Sequence, residues 1–133
     1  MTRRYIKAYE DVQRQTATPR ENEARVLTEG ARKLKACQEN WDAEDRQALL
    51  QAALKFNQKI WTIFQTELGK PDNPLPPDLR LNLLKLSVFI DKQIFKTIAA
   101  PSPEKLTPII NINLSIADGL RGNPGPLGMP NKS

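Results

Sequence analysis

The sequence contains no histidine and only one cysteine, Cys37. These two residue types supply the commonest metal ligands and many catalytic nucleophiles and bases, so their scarcity argues against a metal centre or a nucleophilic site. A single cysteine also excludes a disulfide within the chain. A Gly-rich phosphate loop and a pair of carboxylates isolated in apolar sequence are missing as well. We therefore expect neither a cofactor nor catalytic activity.

Long apolar runs are also missing from the chain. No stretch approaches the roughly 20 apolar residues that a membrane-spanning helix needs. The first four residues, Met1 to Arg4, lead into an amphipathic segment rather than the apolar core of a signal peptide. The 133 residues, 39% of them hydrophobic, suffice for one core. We expect a single cytoplasmic domain over residues 1–120, without membrane insertion.

Aromatic residues make up only 6% of a chain whose formal net charge is +5. A positive charge suits nucleic acid, but the excess lies at one end. Residues 1–38 hold nine Lys and Arg against five Asp and Glu, and the remaining residues are nearly balanced. Because aromatic side chains are not interleaved with these cations, the pattern favours a solvated helix face over an RNA-binding patch.

The spacing of apolar residues predicts an all-α fold, a small bundle of about four to five helices. The predicted helices span an amphipathic arm at 1–16 and the segments 18–38, 43–68, 78–99 and 108–120, followed by a disordered tail at 121–133. The alternating Ile and Leu residues between 109 and 116 also fit a strand. A lone strand would have no sheet to join, so we favour a helix there.

Helix boundaries are marked by capping residues. Thr18 suits the N-cap, Pro19 the first helical position, and Glu21 completes a capping box, so a helix is expected to begin at Pro19. Asp42 is the expected N-cap of the next helix, and Gly69 is the expected C-cap at its end.

Asn57 is the polar exception on the apolar side of the predicted helix 43–68. A buried amide is costly unless it is hydrogen-bonded. We expect Asn57 to bond a loop carbonyl and fix the fold, in preference to contacting a partner. The next helix, 78–99, is apolar over more than half of its circumference. It either occupies the centre of the bundle or contributes to an apolar groove, and the sequence leaves both interpretations open.

Three blocks of the chain resemble the flagellar biosynthesis regulator FlaF family, in that family's order. The blocks are Ala8-Tyr9 with Gln13-Arg14 and Thr16 to Glu21, then Asn57 to Trp61 with Asn73 to Arg80, then Pro108 to Ile116 with Gly119-Leu120. The resemblance marks Thr18, Pro19, Glu21, Asn57, Pro76 and Asn113 as family-motif residues with structural roles. The segment from Tyr9 to Glu21 is also similar, over a short length, to the start of the flagellin chaperone FliS.

The resemblance to FlaF implies a non-enzymatic cytoplasmic protein that binds flagellin, promotes its production and delivers it to the export gate. It also implies a functional link to the translational repressor FlbT. Aromatic side chains carry much of the energy of helix-in-groove interfaces, so we expect Tyr9, Trp61, Phe64 and Phe89 to anchor flagellin helices.

The alternative is a regulator that acts on flagellin mRNA, directly or together with the repressor. Phosphate contacts would make its binding fall steeply with salt, which distinguishes the two hypotheses. A structural part of the flagellar basal body fits the sequence less well, because nothing in it suggests export or an assembly coiled coil.

Overall fold

The computed structural model describes residues 19–122. This part of the chain forms the helices α1 (Pro19–Glu39), α2 (Arg46–Leu68), α3 (Pro77–Ala99) and α4 (Thr107–Leu120), with a 3-10 turn at Pro103–Leu106. No strand occurs within it, and the predicted all-α fold is confirmed. The predicted arm at 1–16, Thr18 and all of the predicted tail beyond Gly122 lie outside the described residues.

Helix α1 lies at the centre of the packing. It packs most extensively against α4 and also contacts α2 and the 3-10 turn. Helix α2 lies between α1 and α3, whereas α3 contacts mainly α2 and has weaker contacts with the turn and α4. As a result, α3 is an outer helix that the described part of the bundle covers on one side.

The core consists of apolar side chains from all four helices and the turn. The largest that are fully buried are Leu27, Leu34, Trp61, Ile90, Leu106 and Ile109. Burying a side chain of this size contributes roughly 1.5–3 kcal/mol to the stability of the fold. In α1 the buried Ala24 and Ala31 alternate with the leucines, and their small side chains allow neighbouring helices to approach closely.

The predicted helix boundaries agree with the structure at most ends. Helix α1 begins at Pro19, and Pro76 is the N-cap residue of α3. Glu21 lies in the first turn of α1, where its carboxylate accepts a hydrogen bond from Nε of Arg121 over 3.4 Å. Gly69 is the C-cap of α2, but in a right-handed conformation with φ −82°, and its N–H donates to the carbonyl of Gln65.

The predicted start of the second helix after Asp42 is wrong. Residues 40–45 form turns, and α2 begins at Arg46 with Asp45 as the N-cap residue. The guanidinium of Arg46 lies 4.4 Å from the centre of the Trp41 ring. This cation–π contact stabilises the turn, which places the helix start three residues later than the capping pattern indicates.

The 3-10 turn before α4 was not anticipated from the sequence. Side chains from two helices hold it: Nε2 of Gln38 donates to the carbonyl of Pro103 over 2.9 Å, and Nε2 of Gln93 donates to that of Lys105 over 2.9 Å. Leu106 at its end is fully buried. The Ile- and Leu-rich segment that follows is helical, as predicted.

Candidate functional site

Two buried asparagines, Asn57 of α2 and Asn113 of α4, meet at the centre of the bundle. Nδ2 of Asn113 donates to Oδ1 of Asn57 over 2.7 Å and to the carbonyl of Leu27 over 3.2 Å. Nδ2 of Asn57 donates to the carbonyl of Gly30 over 3.1 Å and to that of Ala53 over 2.9 Å. The two side chains are fully buried and together join α1, α2 and α4.

Trp61 completes this polar group. Its Nε1 donates to Oδ1 of Asn113 over 2.9 Å, and its ring is buried. We call Gly30, Asn57, Trp61 and Asn113 the asparagine cluster. Within residues 19–122 no buried side-chain nitrogen or oxygen lacks a hydrogen-bond partner. An unpaired buried polar group costs about 1–3 kcal/mol, so a fully paired cluster favours this one arrangement of the helices.

Gly30 provides the space in which the two asparagines meet. A Cβ atom added at this position would lie 2.5 Å from Oδ1 of Asn57 and 2.9 Å from Nδ2 of Asn113, closer than real Cβ contacts allow. A glycine inside a helix lowers stability by about 1 kcal/mol relative to alanine. The interactions of the asparagine cluster have to offset this loss. The expectation that Asn57 bonds a loop carbonyl is wrong, because both of its acceptors are helix carbonyls.

The four predicted partner anchors differ in their surroundings. Trp61 is only 1% exposed, so the prediction that it anchors a partner is corrected: it is a core residue. Phe64 is half-buried and packs edge-on against Trp61, with ring centres 5.6 Å apart. Phe89 is exposed. Tyr9 lies outside the described residues.

Helix α3 carries an apolar stripe on its solvent side. Leu81, Val88 and Phe95 are exposed and are spaced seven residues apart, which places them in one line along the helix. We call these three residues the outer face of α3, and it is opposite the buried side that contains Leu83 and Ile90. The sequence left open whether this helix belongs to the core or to a binding surface. One side does each.

Lysines border the outer face along one edge. Lys85, Lys92 and Lys96 are exposed and follow one another at helical spacing; we call them the lysine edge. Two further apolar side chains of α3 are also exposed: Ile98 lies beside the outer face, and Phe89 lies on the far side of the lysine edge. The combination of apolar stripe and cationic edge is the arrangement expected of a surface that binds an amphipathic helix.

Shifted pKa values occur away from both of these features. Burial raises the pKa of the Cys37 thiol. The pKa of Glu29 is lowered, mainly by the hydrogen bond from the Arg32 side chain. The pKa of Glu23 is raised, mainly by desolvation and less by the nearby Glu67 carboxylate. Nowhere in residues 19–122 do three or more His, Cys, Asp or Glu side chains gather in a way that suits a metal ion.

The outer face and Gly30 are the features that sequence reasoning missed. The signal for the first was the seven-residue spacing of Leu81, Val88 and Phe95 within a helix that already had a second apolar side. The signal for the second was a glycine in a helix interior, where it is unfavourable unless packing requires it.

The fold and the surface define a class: a small all-α protein whose candidate site is an exposed helix face. A family model described as flagellar protein FlaF matches residues 5–120. The chain belongs to this family, as its resemblance indicated, and a flagellar role follows. No curated protein and no solved structure matches the chain. None of the helices described is long and apolar enough to cross a bilayer.

Proposed function

We propose that this FlaF-family protein is a non-enzymatic flagellin-binding chaperone that acts in the cytoplasm and promotes flagellin production and export. The observation that carries the proposal is the apolar outer face of α3 in a member of a flagellar family. Leu81, Val88 and Phe95 expose apolar surface along about 21 Å of helix, because 14 steps of 1.5 Å separate Leu81 from Phe95. Exposed apolar side chains aligned along one helix are the pattern by which a helix binds an amphipathic partner.

The mechanism is sheathing of an aggregation-prone amphipathic segment. Unassembled flagellin would lay an amphipathic helix against this surface, burying apolar area on both partners and delaying polymerisation until delivery to the export gate. Phe89, which is exposed on the far side of the lysine edge, remains a candidate anchor. Trp61 acts indirectly, since it holds the asparagine cluster together and thereby fixes α2, against which α3 packs.

The test is size-exclusion chromatography of the purified full chain mixed with monomeric flagellin. We expect a complex that elutes ahead of either component, and Phe89→Ala to weaken it without unfolding the protein. Absence of any complex with wild-type protein would overturn the proposal. The same preparation mixed with flagellin mRNA tests the alternative function: RNA binding that declines steeply with salt, in the absence of flagellin binding, would favour the regulator.

A further inference from the structure

The surroundings of the outer face of α3 define the partner that it fits. The apolar stripe is formed by Leu81, Val88 and Phe95, and Phe95 is 73% exposed. At the C-terminal end of the stripe, Ile98 lines a crevice of about 80 Å3 together with Leu50 and Leu54 of α2. A partner helix can therefore lie along the stripe and place an apolar side chain beside the crevice.

The charges beside the stripe are strongly asymmetric. On one side lies the lysine edge, where Asp78, in the first turn of the helix, is the one carboxylate that α3 contributes. On the other side α3 carries one carboxylate and one cation. Oδ2 of Asp91 accepts a hydrogen bond from Nε2 of Gln65 over 2.8 Å, and Nη1 of Arg80 donates to the carbonyl of Lys70 over 3.2 Å. The lysine edge thus carries an excess of positive charge, whereas the charges of α3 on the other flank balance.

A second copy of the chain does not complement the charges of this surface. In an antiparallel pair of α3 helices, equivalent edges face each other, so the lysine edge of one copy would meet that of the other. In a parallel pair, three lysines would face a flank whose single carboxylate, Asp91, already has a partner. Like charges at such positions are destabilising, which disfavours self-association.

The parts of the chain outside residues 19–122 have the wrong charge as well. Residues 1–18 contain four Lys and Arg against two Asp and Glu, and residues 123–133 contain one lysine and no acid. Neither segment brings the excess of carboxylates that the lysine edge would attract. Charge complementarity therefore indicates a separate, acidic partner.

We infer that the outer face of α3 binds an amphipathic helix of the client whose apolar stripe is flanked on one edge by Asp and Glu residues. This assignment rests on the proposed function in taking flagellin as the client. The apolar stripes of the two helices bury each other, and the client's carboxylates lie along Lys85, Lys92 and Lys96. Because the excess of positive charge is on one flank, the charge pattern favours one orientation of the bound helix.

Two sets of variants of the full chain test the assignment by flagellin binding. Phe95→Ser together with Val88→Ser is expected to weaken binding by roughly 10–100-fold. Lys85→Glu together with Lys92→Glu is expected to weaken it by about tenfold at low salt and less at high salt. The matched control, Lys55→Glu with Lys59→Glu on the exposed side of α2, makes the same change in charge and should alter binding less than about twofold.

A thiol probe shows what covers the surface. In Phe95→Cys the new thiol should react with a maleimide about as fast as that of Lys55→Cys, while the buried Cys37 reacts slowly. Adding flagellin should protect position 95 and leave position 55 reactive. Protection without flagellin overturns the inference: if it is independent of protein concentration, the chain's own terminal segments occupy the face, and if it rises with concentration, a second copy does.

Different results would reject the chaperone role and the assignment of the outer face of α3. If wild-type protein does not bind flagellin, the proposed function is rejected. If wild-type protein binds flagellin but the serine variants and the lysine reversals bind equally well, the chaperone role stands and the assignment of the outer face of α3 is rejected. Circular dichroism of each variant establishes that the helices are intact before binding is measured.

Discussion

Asn113 donates a hydrogen bond to Asn57 over 2.7 Å in the centre of the bundle, and the two side chains have no exposure to solvent. The amides link helices from distant parts of the chain, because each also donates to a carbonyl of α1. Apolar packing tolerates small rotations of helices, whereas a paired amide has a fixed geometry. The pair therefore defines how α1, α2 and α4 meet.

Gly30→Ala is expected to destabilise the protein by about 1–3 kcal/mol, because its Cβ would displace the Asn57 amide. Helix propensity alone predicts the opposite, a gain of about 1 kcal/mol. Urea unfolding followed by circular dichroism measures the difference. Gly69→Ala is the matched control: its Cβ would approach no atom closer than 3.3 Å, and the change should be small. A Gly30→Ala protein as stable as wild type would show that the cluster does not need this space.

Alanine substitutions at Asn57 and Asn113 should show strong coupling. Asn113→Ala leaves Oδ1 of Asn57 and Nε1 of Trp61 without their observed partners, so we expect a loss of roughly 2–4 kcal/mol. The double variant should lose less than the sum of the single variants, since the interaction is already broken. A double-mutant cycle from unfolding free energies measures this. Strict additivity would contradict the proposed link between the two amides.

Trp61 and Phe89 should respond to substitution in opposite ways. Trp61→Phe removes the donor to Asn113 in the core and is expected to lower stability by about 1–3 kcal/mol. Phe89→Ala changes an exposed side chain and should alter stability by less than about 1 kcal/mol while weakening flagellin binding. Thermal unfolding and a flagellin-binding titration on the same proteins separate these effects. Equal losses of stability would argue against the distinction between core and surface.

Glu23→Gln should change how stability depends on pH. The pKa of Glu23 is raised in the folded protein, chiefly by desolvation, so ionisation of this carboxyl opposes folding. The variant should therefore gain stability relative to wild type at neutral pH, and the gain should shrink as pH falls through the folded pKa and vanish below the unfolded value. Solvent screening keeps the gain below about 0.5 kcal/mol.

Urea unfolding of the Glu23 variant at pH 7 and at pH 4 measures this trend. Glu44→Gln, another exposed glutamate, controls for the loss of one negative charge. A Glu23→Gln protein whose advantage grows toward acid pH would have the wrong sign for a raised pKa.

Capping residues predicted most helix boundaries correctly. Pro19 begins α1 because proline suits the first helical position. Gly69 ends α2 as predicted, although its right-handed backbone does not use the conformational freedom that favours glycine there. The predicted start of α2 is wrong because the preceding residues form hydrogen-bonded turns: the N–H of Ala43 donates to the carbonyl of Asn40, and that of Arg46 to the carbonyl of Ala43. The capping pattern alone does not distinguish such turns from a first helical turn. The 3-10 turn depends on hydrogen bonds from Gln38 and Gln93, which belong to two different helices.

The candidate site was only partly predictable. An aromatic residue on an apolar helix side suits both a core and an interface, and the sequence alone suggested Trp61 as an anchor. The packing of α4 against α1 places Asn113 where it accepts from the indole, which makes Trp61 internal. For helix 78–99 the sequence left a core helix and a binding groove both open for the complementary reason: a helix with two apolar sides does not reveal which one its neighbours cover.

The all-α character, most helix boundaries and the relationship to FlaF follow from the amino-acid sequence, because periodicity, capping and family motifs are encoded in short stretches of residues. Which side of each helix is buried, how Gly30 accommodates Asn57 and Asn113, and which apolar residues remain exposed follow from the packing of the helices against one another. Those outcomes depend on contacts between residues far apart in the chain, and no local pattern specifies which helices meet.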